Sequence, residues 1–281
     1  MSKLRILIAG CGDVGSALGI KLTEQGHYVY GLRRTINQLP DCIHAISADI
    51  ADKGTLSDLP DTDILIYCAA ATGRSENAYR QAYIDGLENI YTALPHPPKH
   101  FFFTSSTSVY GQHQHEWVDE QSPTEATQPS GQIMRQAELA VLAKGNSTVV
   151  RFSGIYGPGR NHLINTVRAG TIAPENPLHY SNRIHRDDCA GVLAHLIQKL
   201  SKGSVIESLY LASDPNPTPI HEITAWLAEQ SDTEITQETP IRRGGSKRCN
   251  SQRLQQSGYE FLYPDYKAGF QAGIITWKDA E

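Results

Sequence analysis

Short apolar runs alternate with mixed stretches through the first half of the chain. "LRILIAG" (4–10), "HYVYGL" (27–32), "DILIYCAA" (63–70), "HFFFTSS" (100–106) and "TVVRFSG" (148–154) are each bounded by turn residues. Each reads as a strand buried on both faces. Residues 14–25 and 77–94 read as helices between them; in the second, Tyr79, Tyr83, Leu87, Ile90, Tyr91 and Leu94 recur every three or four positions and share one face. Strands alternating with helices build a parallel sheet covered on both sides, so the pattern predicts a doubly wound α/β domain over residues 1–154. Beyond residue 155 the rhythm loosens into "YGPGR", "APENP" and "SDPNPTP", with helices expected at 187–200 and 219–229. A smaller lobe over 155–281, interleaved with the last elements of the sheet domain, is the expected remainder.

The first strand runs directly into "GCGDVG" (10–15) and then an amphipathic helix. Gly10 permits the tight turn, Gly12 lets the backbone approach a pyrophosphate, and Gly15 lets the helix pack on the strand. The helix N-terminus, with Asp13 and Val14, offers amides to an anion. In a strand-turn-helix unit this is the signature of a Rossmann-type dinucleotide site. The second strand ends in "GLRRT", where an NAD site would carry an acid for the ribose. Arg33 and Arg34 can instead grip a 2′-phosphate, which favours NADP over NAD; two solvated loop arginines are the plainer alternative. Asp49, in "SADIAD" (47–52), can accept from an adenine amino group or cap a turn.

Charge and composition narrow the partners. With 281 residues and a net charge of −5, few aromatics and no basic cluster, the chain offers no surface for nucleic acid. Five scattered cysteines without ligand spacing read as reduced thiols, and no apolar stretch reaches the ~20 residues of a membrane span. A cytoplasmic protein that binds neither membrane nor metal is expected; "HQH" at 113–115 has no third ligand at suitable spacing.

Taken together, "GCGDVG", "ADIAD", "LIYCAAA", "TSSTSVYG", "RFSGIYGPGR" and "RIHRDDCA" resemble, in order and spacing, the extended short-chain dehydrogenase/reductase family of NAD(P)-dependent epimerases and dehydratases. "KRCNSQRLQQSGYEFLYPDYKAGF" is similar to the tail of atypical epimerase-like members. The resemblance implies a Rossmann domain with a smaller C-terminal substrate-binding lobe. It adds Ile50, Ala69, Ala70 and Ser105 to the cofactor contacts and places the catalytic hydroxyl at Ser106. Thr107 and Ser108 stand where 4,6-dehydratases carry an Asp-Glu pair, which argues against elimination of water.

Against the family's "PYGxSKxxxE", "PSGQIMRQAE" (129–138) keeps Pro129, Gly131 and Glu138 in register but has Ser130 for the tyrosine and Met134 for the lysine. A phenol beside an ammonium group can exchange a proton at neutral pH, and a serine without a base cannot. Replacement proton carriers are Tyr156, in the loop that borders the nicotinamide in the family, and His185, with His113 and His115 behind them; each also has a plain packing or solvated role. The resemblance sets Arg160 and Arg183 at the cleft entrance, where an arginine contacts the diphosphate of nucleotide sugars, and so points to a small phosphate- or nucleotide-bearing substrate. Asp187 and Asp188 are expected to cap the helix that starts there. Tyr79, Tyr83, Tyr91 and 131–143 are candidate homodimer contacts or simply a core face. The expected function is an NADP-binding epimerase/dehydratase-like oxidoreductase with an altered active site; the alternative is a catalytically silent NADP sensor or scaffold.

Overall fold

The computed structural model describes residues 3–241 and 245–278, the last six of these by their backbone alone. The chain divides into two compact units: Met1–Val109, Ala126–Arg151 and Cys189–Tyr210 form one, and Tyr110–Glu125, Phe152–Asp188 and Leu211–Glu281 the other. The chain passes between the units at 109/110, 125/126, 151/152, 188/189 and 210/211; crossings of this kind are set by long-range packing, which a local pattern does not carry.

The first unit is built on strands β1 (Arg5–Ala9), β2 (Tyr28–Arg33), β3 (His44–Ser47), β4 (Ile64–Tyr67) and β5 (His100–Ser106). With Ser147–Phe152 and Leu209–Ala212 they make a seven-stranded parallel sheet in the order Leu209–Ala212, Ser147–Phe152, β5, β4, β1, β2, β3. All four residues of β4 and all six of Ser147–Phe152 are buried, as expected of strands covered on both faces. Edge strand β3 is mostly exposed, so no apolar run announces it.

Helix α1 (Asp13–Glu24) follows β1 directly. The helix expected over 77–94 comprises α2 (Glu76–Arg80), a wider π-helical turn Gln81–Asp85, and α3 (Gly86–Ala93). Its expected apolar face is the inner one: Tyr83, Leu87, Ile90 and Leu94 are buried, and Tyr91 stacks on Phe101 with ring centroids 5.8 Å apart. The Tyr67 hydroxyl donates to the Ala82 carbonyl within the wide turn. Helix α4 (Pro129–Leu142) starts with Pro129 in its first turn, where a missing N–H is harmless.

A charged network joins α4 to the sheet. Arg151, in the middle of an apolar strand, is fully buried; its Nε donates to Glu138 Oε1 at 2.8 Å and its Nη2 to Oε2 at 2.7 Å. Ser105 Oγ donates to Oε1 at 2.6 Å and Arg135 Nη1 to Oε2 at 2.9 Å, so both oxygens of the buried carboxylate are doubly satisfied.

The second unit has no large sheet. It pairs short strands, Gln114–Val118 with Ser246–Cys249 and Gly154–Tyr156 with Arg183–His185. Helices His162–Arg168 and Ile220–Gln230 close over a core that includes Tyr156, Ile164, Val167, Ile223, Leu227 and Phe270. Asp188, expected to cap a helix, does different work: its Oδ1 accepts from the Tyr259 hydroxyl at 2.7 Å and the Leu262 amide at 2.8 Å, and its Oδ2 from the Tyr263 amide at 3.0 Å. A fully buried carboxylate attracts any free donors within reach, and the 259–263 segment supplies them.

Two predictions follow from the packing of the first unit. Glu138→Ala strands a buried guanidinium and should destabilise the protein by about 3–5 kcal/mol, whereas Arg135→Ala, at a side chain 31% exposed, should lose less than about 1 kcal/mol. Urea unfolding followed by circular dichroism measures both; equal losses would mean that the Arg151 pair is not what holds α4. The second concerns His100, whose Nε2 meets Thr148 Oγ1 at 3.0 Å and whose burial lowers its pKa to about 4. A folded-state value below the unfolded ~6.5 means that the unfolded chain binds the proton first, so this contribution is intact above pH ~6.5 and is lost as pH falls towards 4. Wild type and His100→Gln, compared by urea midpoints at pH 7 and pH 4.5, should differ in acid sensitivity by on the order of 1 kcal/mol, the wild type losing more.

Candidate functional site

The expected cofactor residues lie at the carboxyl ends of the parallel strands of the first unit. From β1 the chain goes to β2 and β3 on one side, while β4 and β5 lie on the other, so β1 and β4 flank the topological switch point where such sheets bind ligands. Gly10 has φ +84°, and a Cβ there would fall 2.4 Å from the Ala69 backbone at the end of β4. Its amide and that of Cys11 donate to Leu32 O at 3.0 and 2.9 Å, which pins the loop to β2. Gly15 packs on Ile8, with 3.1 Å available for a Cβ. Gly12 differs from both: its φ is −90°, and a Cβ would meet nothing nearer than Gly10 O at 4.0 Å.

The protein's own packing therefore gives no reason for glycine at Gly12. Its bare Cα opens space before the first turn of α1, whose N-cap carries no side chain. A dinucleotide pyrophosphate is the kind of group that needs such a cradle, and the residues present fit one. Val14 is half-buried and Asp13 exposed at the start of α1. Burial pushes the Cys11 thiol up to about 11 and the Cys68 thiol to about 12, so both stay protonated beside the loop.

Arg33 closes β2 with its Nη2 donating to Gln38 Oε1 at 3.0 Å, and Arg34 beside it is exposed. Asp49 Oδ1 accepts from the Ala51 amide at 3.0 Å, a local turn, while Ile50 gives its carbonyl to Asn89 Nδ2. Ala69 is buried and Ala70 exposed just after β4. Ser105 is buried and its hydroxyl donates to Glu138 Oε1. Ser106 is half-buried; its Oγ accepts from the Ser108 amide at 3.1 Å, which leaves the hydroxyl proton for another acceptor.

On α4, Ser130 is half-buried and Met134 is only 4% exposed. Gly131 lets the helix approach the turn after β5, since a Cβ there would collide with Ser108 O at 2.3 Å.

Tyr156 and His185 belong to the interior of the second unit. Tyr156 is 2% exposed, lies 4.6 Å from the Phe270 ring, and donates its hydroxyl to Asp265 O at 3.2 Å. Burial, and then the Asp214 carboxylate, raise its pKa, the opposite of what a neutral-pH proton donor needs. His185 is also buried: its Nδ1 accepts from the Asp187 amide at 3.2 Å and its ring lies 4.1 Å from that of Tyr263. His113 and His115 turn to different partners, Gly111 O and Ser246 Oγ, and among the described residues no His, Cys, Asp or Glu group is arranged to hold a metal. Arg160 is exposed and Arg183 half-buried, its guanidinium 5.9 Å from the Phe270 ring. All five cysteines are free, and no helix among the described residues is long and apolar enough to cross a membrane.

Residues 6–210 match the model of the NAD-dependent epimerase/dehydratase family. The chain belongs to that family. A structure from Methylobacillus flagellatus assigned to the NAD-dependent epimerases/dehydratases is 41% identical, with a TM-score of 0.86, covering 99% of this chain and 100% of that one. Protein YeeZ of Escherichia coli K12 is 27% identical over 278 residues, 93% of this chain and 97% of its own. UDP-glucose 4-epimerase of Thermus thermophilus, solved with NAD, is 16% identical with a TM-score of 0.80 over 99% of this chain and 100% of its own, which shows the shared fold. The family binds NAD(P) nucleotides, in line with the loop geometry above.

Within this epimerase/dehydratase fold the sequence reading missed Arg151. A charge inside "TVVRFSG", an otherwise apolar strand run, was the available signal, since a buried arginine requires a buried partner. Nothing local marked Asp188 as the anchor of residues 259–263.

The two loop glycines should fail in different ways. Gly12→Val should weaken dinucleotide binding at least a hundredfold, or ~2.7 kcal/mol, with the fold intact, because the new side chain meets only the cradle. Gly10→Ala should lower stability by at least ~1 kcal/mol, since it combines a positive φ with a backbone collision. Calorimetric titration with thermal unfolding separates the two; binding retained in Gly12→Val would show that the loop holds no phosphate.

Proposed function

We propose that the chain is an NADP-binding oxidoreductase of the epimerase/dehydratase kind, acting on a small molecule through a rearranged proton-transfer site. The observation that carries this reading is Gly12, where the protein's own packing leaves open the space before α1 that a pyrophosphate would take. Arg33 and Arg34 at the end of β2 support NADP over NAD, because guanidinium groups suit a 2′-phosphate where a carboxylate would repel it. NADP, when bound, supplies a two-electron acceptor or donor.

The chain's own residues then divide the remaining work. The amides at the start of α1 hold the pyrophosphate in the space that Gly12 leaves open, the arginines select the phosphorylated ribose, and Ser106 offers a proton to the reacting oxygen of the substrate. Ser130 and Met134 cannot supply the acid/base step of a tyrosine-lysine pair, a loss on the order of a hundred- to ten-thousand-fold in rate. The burial of Met134, Tyr156 and His185 favours a second reading, a catalytically silent NADP sensor on the same cradle.

NADPH should bind at least tenfold more tightly than NADH, a difference of ~1.4 kcal/mol, and Arg33→Ala with Arg34→Ala should abolish the preference. Calorimetry on the full chain, with mass analysis of any nucleotide that copurifies, measures this. Equal affinities would remove the case for NADP. Turnover of a carbonyl or alcohol that is lost in Ser106→Ala would separate the enzyme from the sensor.

A further inference from the structure

Far along the chain from the glycine loop, the second unit holds a cation fixed between aromatic rings. Gln114–Val118 and Ser246–Cys249 pair in parallel, but the register shifts between Ser246, opposite Gln114, and Arg248, opposite Trp117. Two residues, His115 and Glu116, thus stand against Lys247 alone, and His115 takes φ +66°. Such bulges re-aim side chains, and a histidine in the left-handed region is strained backbone that the surroundings must hold. They do: His115 Nδ1 lies 2.7 Å from Ser246 Oγ, which itself accepts from the Tyr180 amide at 2.8 Å.

The bulge sets Arg248 beside two rings, its guanidinium carbon 4.8 Å from the Trp117 centroid and 5.3 Å from that of Tyr180. Its Nε donates to His115 O at 2.8 Å. One nitrogen is therefore engaged by the protein and the guanidinium lies beside two rings, while among the described residues neither terminal nitrogen has a hydrogen-bond partner and neither is buried. Trp117 remains 54% exposed despite this stack, an unusual burden for an indole on a strand that is otherwise well anchored.

We propose that Arg248, Trp117 and Tyr180 form a recognition subsite for the carboxylate of a planar, ring-bearing acid. The guanidinium fork matches a carboxylate with two parallel hydrogen bonds, and the exposed indole offers a face to the attached ring. A doubly charged phosphate is the poorer match, because Glu116 is exposed, adjacent to Trp117, and kept ionised by the amides that donate to it, Gln114 N at 2.6 Å among them. The proposed ligand group is singly charged, beside the phosphate- or nucleotide-bearing substrate expected from sequence. As a statement about substrate it rests on the second unit being the substrate lobe of the proposed oxidoreductase; as a binding site it stands alone.

The test is a titration of the full chain, saturated with NADPH, with 2-naphthoate, 2-naphthamide, acetate and inorganic phosphate as probes, read by calorimetry. Naphthoate should bind at least tenfold more tightly than each of the others. Arg248→Gln should lose at least tenfold in naphthoate affinity, and Arg248→Lys should not restore it, because an ammonium group has no fork. Trp117→Leu should bring naphthoate close to acetate. Circular dichroism and NADPH affinity should be unchanged in all three variants. Equal binding of naphthoate and naphthamide, binding indifferent to Arg248, or tighter binding of phosphate would each overturn the subsite. Repeating the titration in Gly12→Val without NADPH separates the two inferences: absence of NADPH binding to the wild type would remove the cofactor reading, and naphthoate binding lost only with Arg248 would still stand.

Discussion

The Glu138 carboxylate, buried and gripped from both sides by Arg151, is the interaction on which the architecture of the first unit turns. Neither charge tolerates burial alone, so each fixes the other: Arg151 must project from its strand at one height, and α4 must present Glu138 there. The same carboxylate takes the Ser105 hydroxyl, which ties the end of β5 to the helix one residue before Ser106. One buried ion thereby sets the positions of two strands and the helix packed on them. Such an arrangement gains little net stability over an apolar core, and what it supplies is a single permitted register.

Much of the first unit was legible in the sequence because its information is local. A strand buried on both faces needs an unbroken apolar run, and β1, β4 and β5 each have one. The glycine loop was legible for the same reason, since a positive φ and a close backbone approach both demand glycine within six residues of the strand. Edge strand β3, open to solvent, needs no such run and left none. In the second unit the determining contacts are distant: Tyr156 finds Asp265 across 109 residues, and His115 finds Ser246 across 131. Pattern reading has no access to separations of that size. The expected catalytic roles of Tyr156 and His185 therefore came from family position, while their burial came from partners that only folding reveals.

That burial bears on what the sequence changes at positions 130 and 134 mean. Gly131 and Glu138 hold α4 against the turn after β5 and against the sheet, by a steric gap and a buried ion. Neither device involves the side chains of Ser130 or Met134. Met134 in fact contributes apolar burial to the helix face where an ammonium group would have to be desolvated or paired. The position of α4 and the side chains at 130 and 134 are thus set independently, so the helix can keep its place whatever those two side chains are. In the proposed reading, the space that Gly12 leaves open before α1 takes the dinucleotide whether or not a proton is moved beside it.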